Sequence, residues 1–152
     1  KIIEIEPKIM CVFAGNDQGY KKELVKLAAE LKVQNHCVFT GKISNETRED
    51  LYNLADVFIF PSTGEGFGLV AAEALHFGIP SILANKGGLK YILKEIGGYP
   101  LDMDKDIPSQ IFNYVKNISQ DEKIKEKMLP AIEKSKRFTW ENIARETLKE
   151  FQ

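Results

Sequence analysis

The sequence predicts an α/β fold built on a doubly wound parallel β-sheet, with helices on both faces of the sheet and a helical C-terminal tail. Two observations lead to this class. Short apolar runs alternate with amphipathic stretches, and the apolar runs stop at glycine or polar residues. The runs are almost continuously apolar, which is typical of parallel strands that are covered on both sides.

Each strand is predicted from an apolar run that is bounded by glycine, proline or a polar residue. The predicted strands are 9–14, 36–40, 57–60, 80–84 and Tyr99–Leu101. Between them, apolar residues recur at helical spacing, and these segments predict helices. The predicted helices are 21–31, 46–55, 67–77 and 88–95. In the second of these we expect Leu51 and Leu54 to face inward and Ser44 or Asn45 to cap the first turn.

The rest of the chain has a helical pattern. We expect helices over Ile107–Ser119, over residues 121–136 and from Thr139 onward, with Thr139 as the cap of the last one. Pro130 is expected to break or kink the second of these helices, because proline lacks the N–H group that a helix interior needs. At the other end, residues 1–5 have the pattern of the last turns of a helix.

Composition excludes several classes of protein. The chain has 152 residues, of which 43% are hydrophobic and 28% charged, which predicts a single soluble globular domain over residues 1–152. A net charge of -1 argues against a nucleic-acid partner. No apolar run has the roughly 18 residues of a membrane span. We expect a cytoplasmic protein, because its two cysteines fit a reducing compartment. Because the chain starts at Lys1 rather than Met, it is interpreted as a fragment of a longer protein.

The two cysteines, Cys11 and Cys37, each lie in a predicted strand. We expect both to be small buried hydrophobic residues, as free cysteines usually are. No Cys/His cluster has metal-ligand spacing. Both residues fit a reducing compartment.

A strand, a glycine-rich loop and a helix follow one another over residues 56–75. Gly64, Gly66 and Gly68 alternate through the loop, where glycine permits positive φ and lets a ligand approach the backbone without a Cβ atom in the way. The helix that follows offers unpaired N–H groups and a partial positive charge. Together they predict an anion site. The alternative is a plain strand–helix turn that happens to be rich in glycine.

Two carboxylates accompany this loop. Glu65 lies within it and Glu73 lies in the helix, with seven residues between them. A carboxylate beside an anion site would repel a phosphate, so we expect sugar hydroxyls as its partners, since carboxylates accept hydrogen bonds from vicinal diols. Glu73 lies about 7–8 Å along the helix from Gly68, within reach of a ribose at the other end of a diphosphate. The alternative for Glu73 is a solvated glutamate on a helix surface.

An ordered series of motifs resembles the C-terminal, nucleotide-sugar-binding half of retaining GT-B glycosyltransferases of family four, also called glycosyl transferases group 1. The matching segments are Phe13-Ala-Gly15, Val38-Phe-Thr-Gly-Lys-Ile-Ser44, Leu51-Tyr-Asn-Leu-Ala-Asp-Val-Phe-Ile-Phe-Pro-Ser62, Glu65-Gly-Phe-Gly-Leu-Val-Ala-Ala-Glu73, Gly78-Ile-Pro-Ser-Ile82, Gly87-Gly-Leu89 and Phe138-Thr-Trp-Glu141. The chain departs from the family at Lys90-Tyr91, where Pro-Glu is usual. The resemblance implies a Rossmann-like fold.

The resemblance also implies roles for single residues. Glu65 would be the catalytic residue that contacts the donor-sugar hydroxyls, and Glu73 would bind the ribose. The other implied donor-binding residues are Gly15, Ile43, Asn45, Arg48, Gly66, Phe67, Gly68 and Leu69. Among these, backbone amides of residues 67–69 would face the sugar and diphosphate, and Ile43 would lie against the base. An Arg/Lys pair that clamps the diphosphate in the family would precede Lys1.

The leading hypothesis is therefore the donor-binding half of a hexosyltransferase. The complete enzyme would transfer a sugar from its nucleotide, with retention and by front-face attack, to an acceptor glycan or lipid held by an N-terminal domain. No cofactor or metal is expected, and association with the inner face of the cell membrane is a further option. The fragment alone is expected to be inactive. The alternatives are a stand-alone sugar-nucleotide-binding regulatory module, another GT-B enzyme such as an epimerase or phosphorylase, and a domain without a ligand.

Overall fold

A computed structural model describes residues 1–138 as helices and parallel strands, which confirms the predicted α/β class. The chain divides into two compact units, Lys1–Leu51 and a second that begins at Tyr52. Each unit has a parallel sheet of its own, with two strands in the first and three in the second. The predicted helix from Thr139 lies outside the described residues.

The first unit is a two-stranded parallel sheet with an adjoining helix. Its elements are α1 (Ile2–Ile5), β1 (Cys11–Ala14), α2 (Lys21–Glu30), a 3-10 turn (Gln34–His36), β2 (Cys37–Gly41) and the start of α3 (Asn45–Leu54). Cys11 pairs with Cys37 and Phe13 with Phe39, and the register shifts by one residue before Ala14. The rings of Phe13 and Phe39 are stacked, with centroids 4.7 Å apart.

The second unit holds a three-stranded parallel sheet in the order β3-β4-β5. After the end of α3, its elements are β3 (Phe58–Phe60), α4 (Leu69–His76), β4 (Ser81–Ala84), α5 (Gly87–Glu95), β5 (Tyr99–Leu101), α6 (Ile107–Ser119), α7 (Ile124–Ser135) and a 3-10 turn (Lys136–Phe138). Helices α4 and α5 make the two crossovers between neighbouring strands, as parallel pairing requires. All four residues of the central strand β4 are buried.

The core of the second unit lies between the central strand and the helices α4, α5 and α7. Fully buried side chains include Leu75 of α4, Leu83 of β4, and Leu89 and Ile92 of α5. Helix α7 adds Met128 and Ala131 to the same cluster. Burial of large aliphatic side chains stabilises a fold by about 1.5–3 kcal/mol each, so this cluster holds α4 and α5 in fixed positions beside the sheet.

Two predictions about helices need correction. The helix predicted over 67–77 begins at Leu69, because Gly68 has a left-handed φ of 87° and ends the loop. Of the two outcomes expected at Pro130, a break or a kink, the break does not occur, because helix α7 continues through this residue. The proline is exposed, while Met128 and Ala131 on either side of it are buried, and this packing offsets the lost backbone hydrogen bond.

The burial expected for three apolar side chains is wrong. Cys11 is exposed and Cys37 is partly buried. Leu54 is 78% exposed, and Tyr52 is the buried residue of α3 instead. Within Lys1–Leu51, only Ala28 is buried, because two strands and an adjoining helix enclose little volume.

Among the described residues, 1–138, no helix has the length and apolar composition needed to cross a membrane.

Ser44 is the N-cap of α3. Its Oγ accepts a hydrogen bond of 3.1 Å from the amide of Thr47, and its carbonyl accepts one of 3.0 Å from the amide of Arg48. We expect Ser44→Ala to lower the free energy of unfolding by about 1 kcal/mol, since it leaves a helix-end amide without its acceptor. Urea denaturation measures this change. Asn45→Ala is the control and should have the smaller effect; an equal loss for both variants would contradict the capping role.

Candidate functional site

The loop between β3 and α4 ends in a helix N-terminus. Gly68 is buried, adopts a left-handed φ of 87° and caps the helix through its carbonyl, which accepts hydrogen bonds from Ala71 at 2.9 Å and Ala72 at 3.2 Å. The first N–H groups of a helix lack intrahelical acceptors. Those of Leu69 and Val70 therefore stand at the loop end as donors, with the positive end of the helix dipole behind them.

The start of α5 supports this loop. The amide of Gly88 donates a 3.1 Å hydrogen bond to the carbonyl of Glu65. A Cβ atom on Gly88 would lie 2.1 Å from the carbonyl oxygen of Gly66, and one on Gly87 would lie 2.9 Å from that of Glu65. A Cβ on Gly68 would meet Leu89 at 2.5 Å. Glycine at positions 87 and 88 lets two backbone segments touch, and glycine at position 68 leaves room for the Leu89 side chain. These contacts support the shape of the loop.

Gly64 and Gly66 differ from these glycines. Neither has a positive φ, so the predicted need for left-handed backbone is met only at Gly68 among the three loop glycines. A Cβ atom on either would also have no described atom within 4 Å. Within residues 1–138, neither a left-handed φ nor a close contact of a Cβ atom explains these two glycines. The other predicted reason, that a ligand approaches the backbone there, stays a prediction.

The two predicted carboxylates are each held by a hydroxyl group. The Oε1 atom of Glu65 accepts a 3.1 Å hydrogen bond from Ser62 Oγ. The Oε2 atom of Glu73 accepts one of 3.1 Å from the hydroxyl of Tyr52, which also lies 3.3 Å from the carbonyl of Val70. Both glutamates are partly buried. Glu73 is therefore oriented rather than free on a helix surface.

Aromatic packing involves Tyr91, one of the two residues at which the chain departs from the family. The ring of Phe67 lies 6.0 Å from that of Tyr91 and 5.7 Å from that of Phe138, and these last two are 6.2 Å apart. Such separations are favourable for tilted and edge-to-face ring pairs. Arg137 lies over the Phe138 ring at 4.9 Å and pairs with Glu95 of α5. The three rings anchor the centre of the glycine-rich loop on α5.

Sequence reasoning missed the residues that hold the site. These are Ser62, Tyr52, Gly87, Gly88 and Tyr91. The one available signal was the pair of glycines at a helix start, where glycine costs about 1 kcal/mol relative to alanine and so needs another reason. The structure thus brings five predicted residues, 65–69, into one loop and helix start, with Glu73 in the same helix.

The other predicted residues belong to Lys1–Leu51. Gly15 has a φ of 135° and donates a 3.1 Å hydrogen bond to the carbonyl of Gly41, which joins the carboxyl ends of β1 and β2. Ile43 and Arg48 are partly buried, and Asn45 is exposed at the start of α3. These positions are at or beyond strand ends, where ligands of parallel sheets bind.

The loop after β1 is held by Asp17. Its Oδ1 atom accepts hydrogen bonds from the amides of Gly19 at 2.8 Å and Lys21 at 3.1 Å. The bond from the Lys21 amide and then that from Gly19 keep the pKa of Asp17 below its ordinary value. The carboxylate therefore remains charged, and it ties Gly19 to the start of α2.

Within residues 1–138, no three His, Cys, Asp or Glu residues are grouped closely enough to hold a metal ion. The donors offered by the loop are backbone amides, and the acceptors are the two carboxylates.

A parallel α/β unit with a glycine-rich loop and a helix N-terminus at the carboxyl end of a strand defines the class of α/β proteins in which ligands are expected at this edge of the sheet. Residues 1–135 match the family model described as Glycosyl transferases group 1, so the chain belongs to this family. The predicted family membership is confirmed.

Comparisons with individual proteins agree. The chain is 32% identical over 147 residues to an uncharacterized glycosyltransferase of Methanocaldococcus jannaschii, covering 93% of this chain and 36% of that protein. It is 27% identical over 156 residues to a D-inositol 3-phosphate glycosyltransferase of a Nocardioides species, covering 95% and 34%. The chain thus spans about a third of the length of both relatives.

A solved structure shares the fold. The Anabaena protein Alr3699/HepE, crystallised in complex with UDP, superposes with a TM-score of 0.79 at 23% identity, over 95% of this chain and 41% of that one. At this identity the likeness concerns the fold.

Proposed function

We propose that the chain binds a nucleoside-diphosphate sugar, and that the whole protein transfers the glycosyl group, with retention, to an acceptor glycan or lipid. The observation that carries this proposal is the pair Gly64 and Gly66. Their backbone is open to a ligand, beside the N-terminus of α4 and next to Glu65. Membership of a glycosyltransferase family supports the reaction class.

The loop and the first turn of α4 would contact the diphosphate and the sugar of the donor. The amides of Gly66, Phe67, Gly68 and Leu69 would face the diphosphate and sugar, where the helix N-terminus stabilises the charge that grows on the leaving group. Glu65, held by Ser62, would accept hydrogen bonds from the sugar hydroxyls. No resident metal or cofactor is part of the proposal.

Glu73 would bind the ribose through its two oxygens. Tyr52 donates to one of them, Oε2. A carboxylate oxygen accepts more than one hydrogen bond, so the pair of oxygens can still accept from a vicinal diol. Tyr52 is 8% exposed, which fixes its hydroxyl and therefore the direction of the carboxylate.

In the first unit, Gly15, Ile43, Asn45 and Arg48 are proposed to contact the nucleotide. Their place at the carboxyl ends of β1 and β2 supports this. The Anabaena neighbour is named as a complex with UDP, which makes a uridine nucleotide the first donor to test. The Nocardioides relative is named a D-inositol 3-phosphate glycosyltransferase, which makes this polyol phosphate a first acceptor to test. We place the whole protein in the cytoplasm, with peripheral membrane association as an option.

Calorimetric titration with UDP, GDP, ADP and their sugar conjugates tests donor binding. We expect saturable binding of one nucleotide, and Glu73→Gln should weaken it about tenfold, or about 1.4 kcal/mol. The reason is that a neutral amide accepts weaker hydrogen bonds from the ribose than a carboxylate does. Glutamine keeps an acceptor for Tyr52, so the helix should remain intact.

Two variants serve as controls. Tyr52→Phe removes the hydroxyl that orients Glu73 but keeps the carboxylate, so its effect on binding should be smaller. Glu133→Gln changes an exposed glutamate of α7 and should have none. Failure of the folded chain to bind any of the nucleotides, or equal weakening by Glu133→Gln, would contradict the proposal and favour a domain without this ligand.

A further inference from the structure

The two cysteines of the chain face each other across β1 and β2. Cys11 and Cys37 are register partners in this parallel pair, and both are free thiols. They come from positions 26 residues apart in the sequence, and the chain has no other cysteine. The sheet, rather than local sequence, brings them together.

The geometry of the strands suits a bond between the two sulfurs. Neighbouring strands lie about 4.8 Å apart, within the roughly 4.4–6.8 Å that separates the Cα atoms of a disulfide. Side chains at paired positions project from the same face of a sheet. Two residues further on, the same face carries Phe13 and Phe39, whose rings are in contact at 4.7 Å. Side chains on this face of β1 and β2 therefore do meet.

The pair is also within reach of a reagent. Cys11 is exposed and Cys37 is partly buried. Neighbouring atoms remove the Cys11 thiol partly from solvent, which raises its pKa, and the Cys37 sulfur raises this pKa further. Because the thiolate is the attacking form, the reaction of Cys11 should be faster at mildly alkaline pH.

We propose that Cys11 and Cys37 form a reversible dithiol–disulfide site. The oxidant is a low-molecular-weight disulfide. A thiolate of one cysteine attacks it and displaces one thiol to give a mixed disulfide; the second cysteine then loses its proton, attacks the protein sulfur of that mixed disulfide and displaces the other thiol. The protein loses two hydrogens, and the oxidant is reduced to two thiols. The bond joins the strands that lead to Gly15 and Gly41.

Oxidised glutathione at mildly alkaline pH, followed by blocking of free thiols and mass spectrometry, tests the site. We expect a monomeric product lighter by two hydrogens, a linked peptide pair that contains Cys11 and Cys37, and full reversal by dithiothreitol. Cys11→Ser and Cys37→Ser should each stop at the mixed disulfide, heavier by one glutathione. The two variants are matched because each leaves one thiol in the same sheet.

A second probe does not depend on oxidation. A trivalent phenylarsenical binds two neighbouring thiols with loss of water, so it should add once to the native chain and be retained far less by either variant. The proposal is wrong if the native chain ends as a mixed disulfide at one or both cysteines. It is equally wrong if the linked peptides occur only in a dimer or only in urea. None of these results depends on nucleotide binding.

Discussion

Replacing Gly88 with alanine should lower the free energy of unfolding by about 3 kcal/mol, at the upper end of overpacking costs. The new Cβ atom would lie 2.1 Å from the carbonyl oxygen of Gly66 and 2.6 Å from the Cα atom of Phe67. Both neighbours are backbone atoms, which cannot turn away as a side chain can. The loop must move off α5 and lose the hydrogen bond from Gly88 to Glu65. Urea denaturation followed by circular dichroism measures the loss.

Gly64→Ala is the matched control for Gly88→Ala. It makes the same chemical change in the supported loop, but its Cβ atom would meet no described atom within 4 Å. Its stability should remain within about 0.5 kcal/mol of the parent chain. Similar stabilities for Gly88→Ala and Gly64→Ala would show that the loop does not rest on α5 as described.

Gly66→Ala should show the opposite profile, with stability unchanged and nucleotide affinity reduced at least tenfold, or about 1.4 kcal/mol. Its φ lies outside the left-handed region and its Cβ atom would have open space, so the fold has no reason to reject alanine. In the proposed complex, the same methyl group would occupy the space through which the diphosphate or sugar approaches the backbone. Unfolding and calorimetric titration of one preparation separate the two effects.

The comparison between Gly66→Ala and Gly88→Ala is informative because the Cβ atom on Gly66 would meet open space, whereas the one on Gly88 would meet the backbone of the same loop. The first should change binding alone, and the second should change stability first and binding with it. If Gly66→Ala retained full affinity for the nucleotide that the parent chain binds, the ligand would not lie on this loop. The proposed function would then lose the observation that carries it.

Much of the fold could be predicted because its signals are local. Every described strand was predicted to within two residues at each end, since an apolar run bounded by glycine, proline or polar residues is contained in a few positions. The signal is equally local for the loop before α4 and the first turns of that helix, where the glycines, Glu65 and Glu73 form one continuous motif. Where packing competes with a local signal, prediction is less secure: Leu54 is exposed and Tyr52 is buried instead, and helix α7 does not break at Pro130.

The sequence by itself thus determined the α/β class, the family and the loop that carries the candidate site. Only the tertiary structure decided what holds that loop and Glu73. Tyr52 donates a hydrogen bond to Glu73, Gly88 packs against the Gly66 carbonyl, and the Tyr91 ring contacts the Phe67 ring. The tertiary structure also decided that Cys11 pairs with Cys37. These contacts join residues from 21 to 26 positions apart in the sequence. They depend on which strands and helices become neighbours, and no periodicity within a single element encodes that.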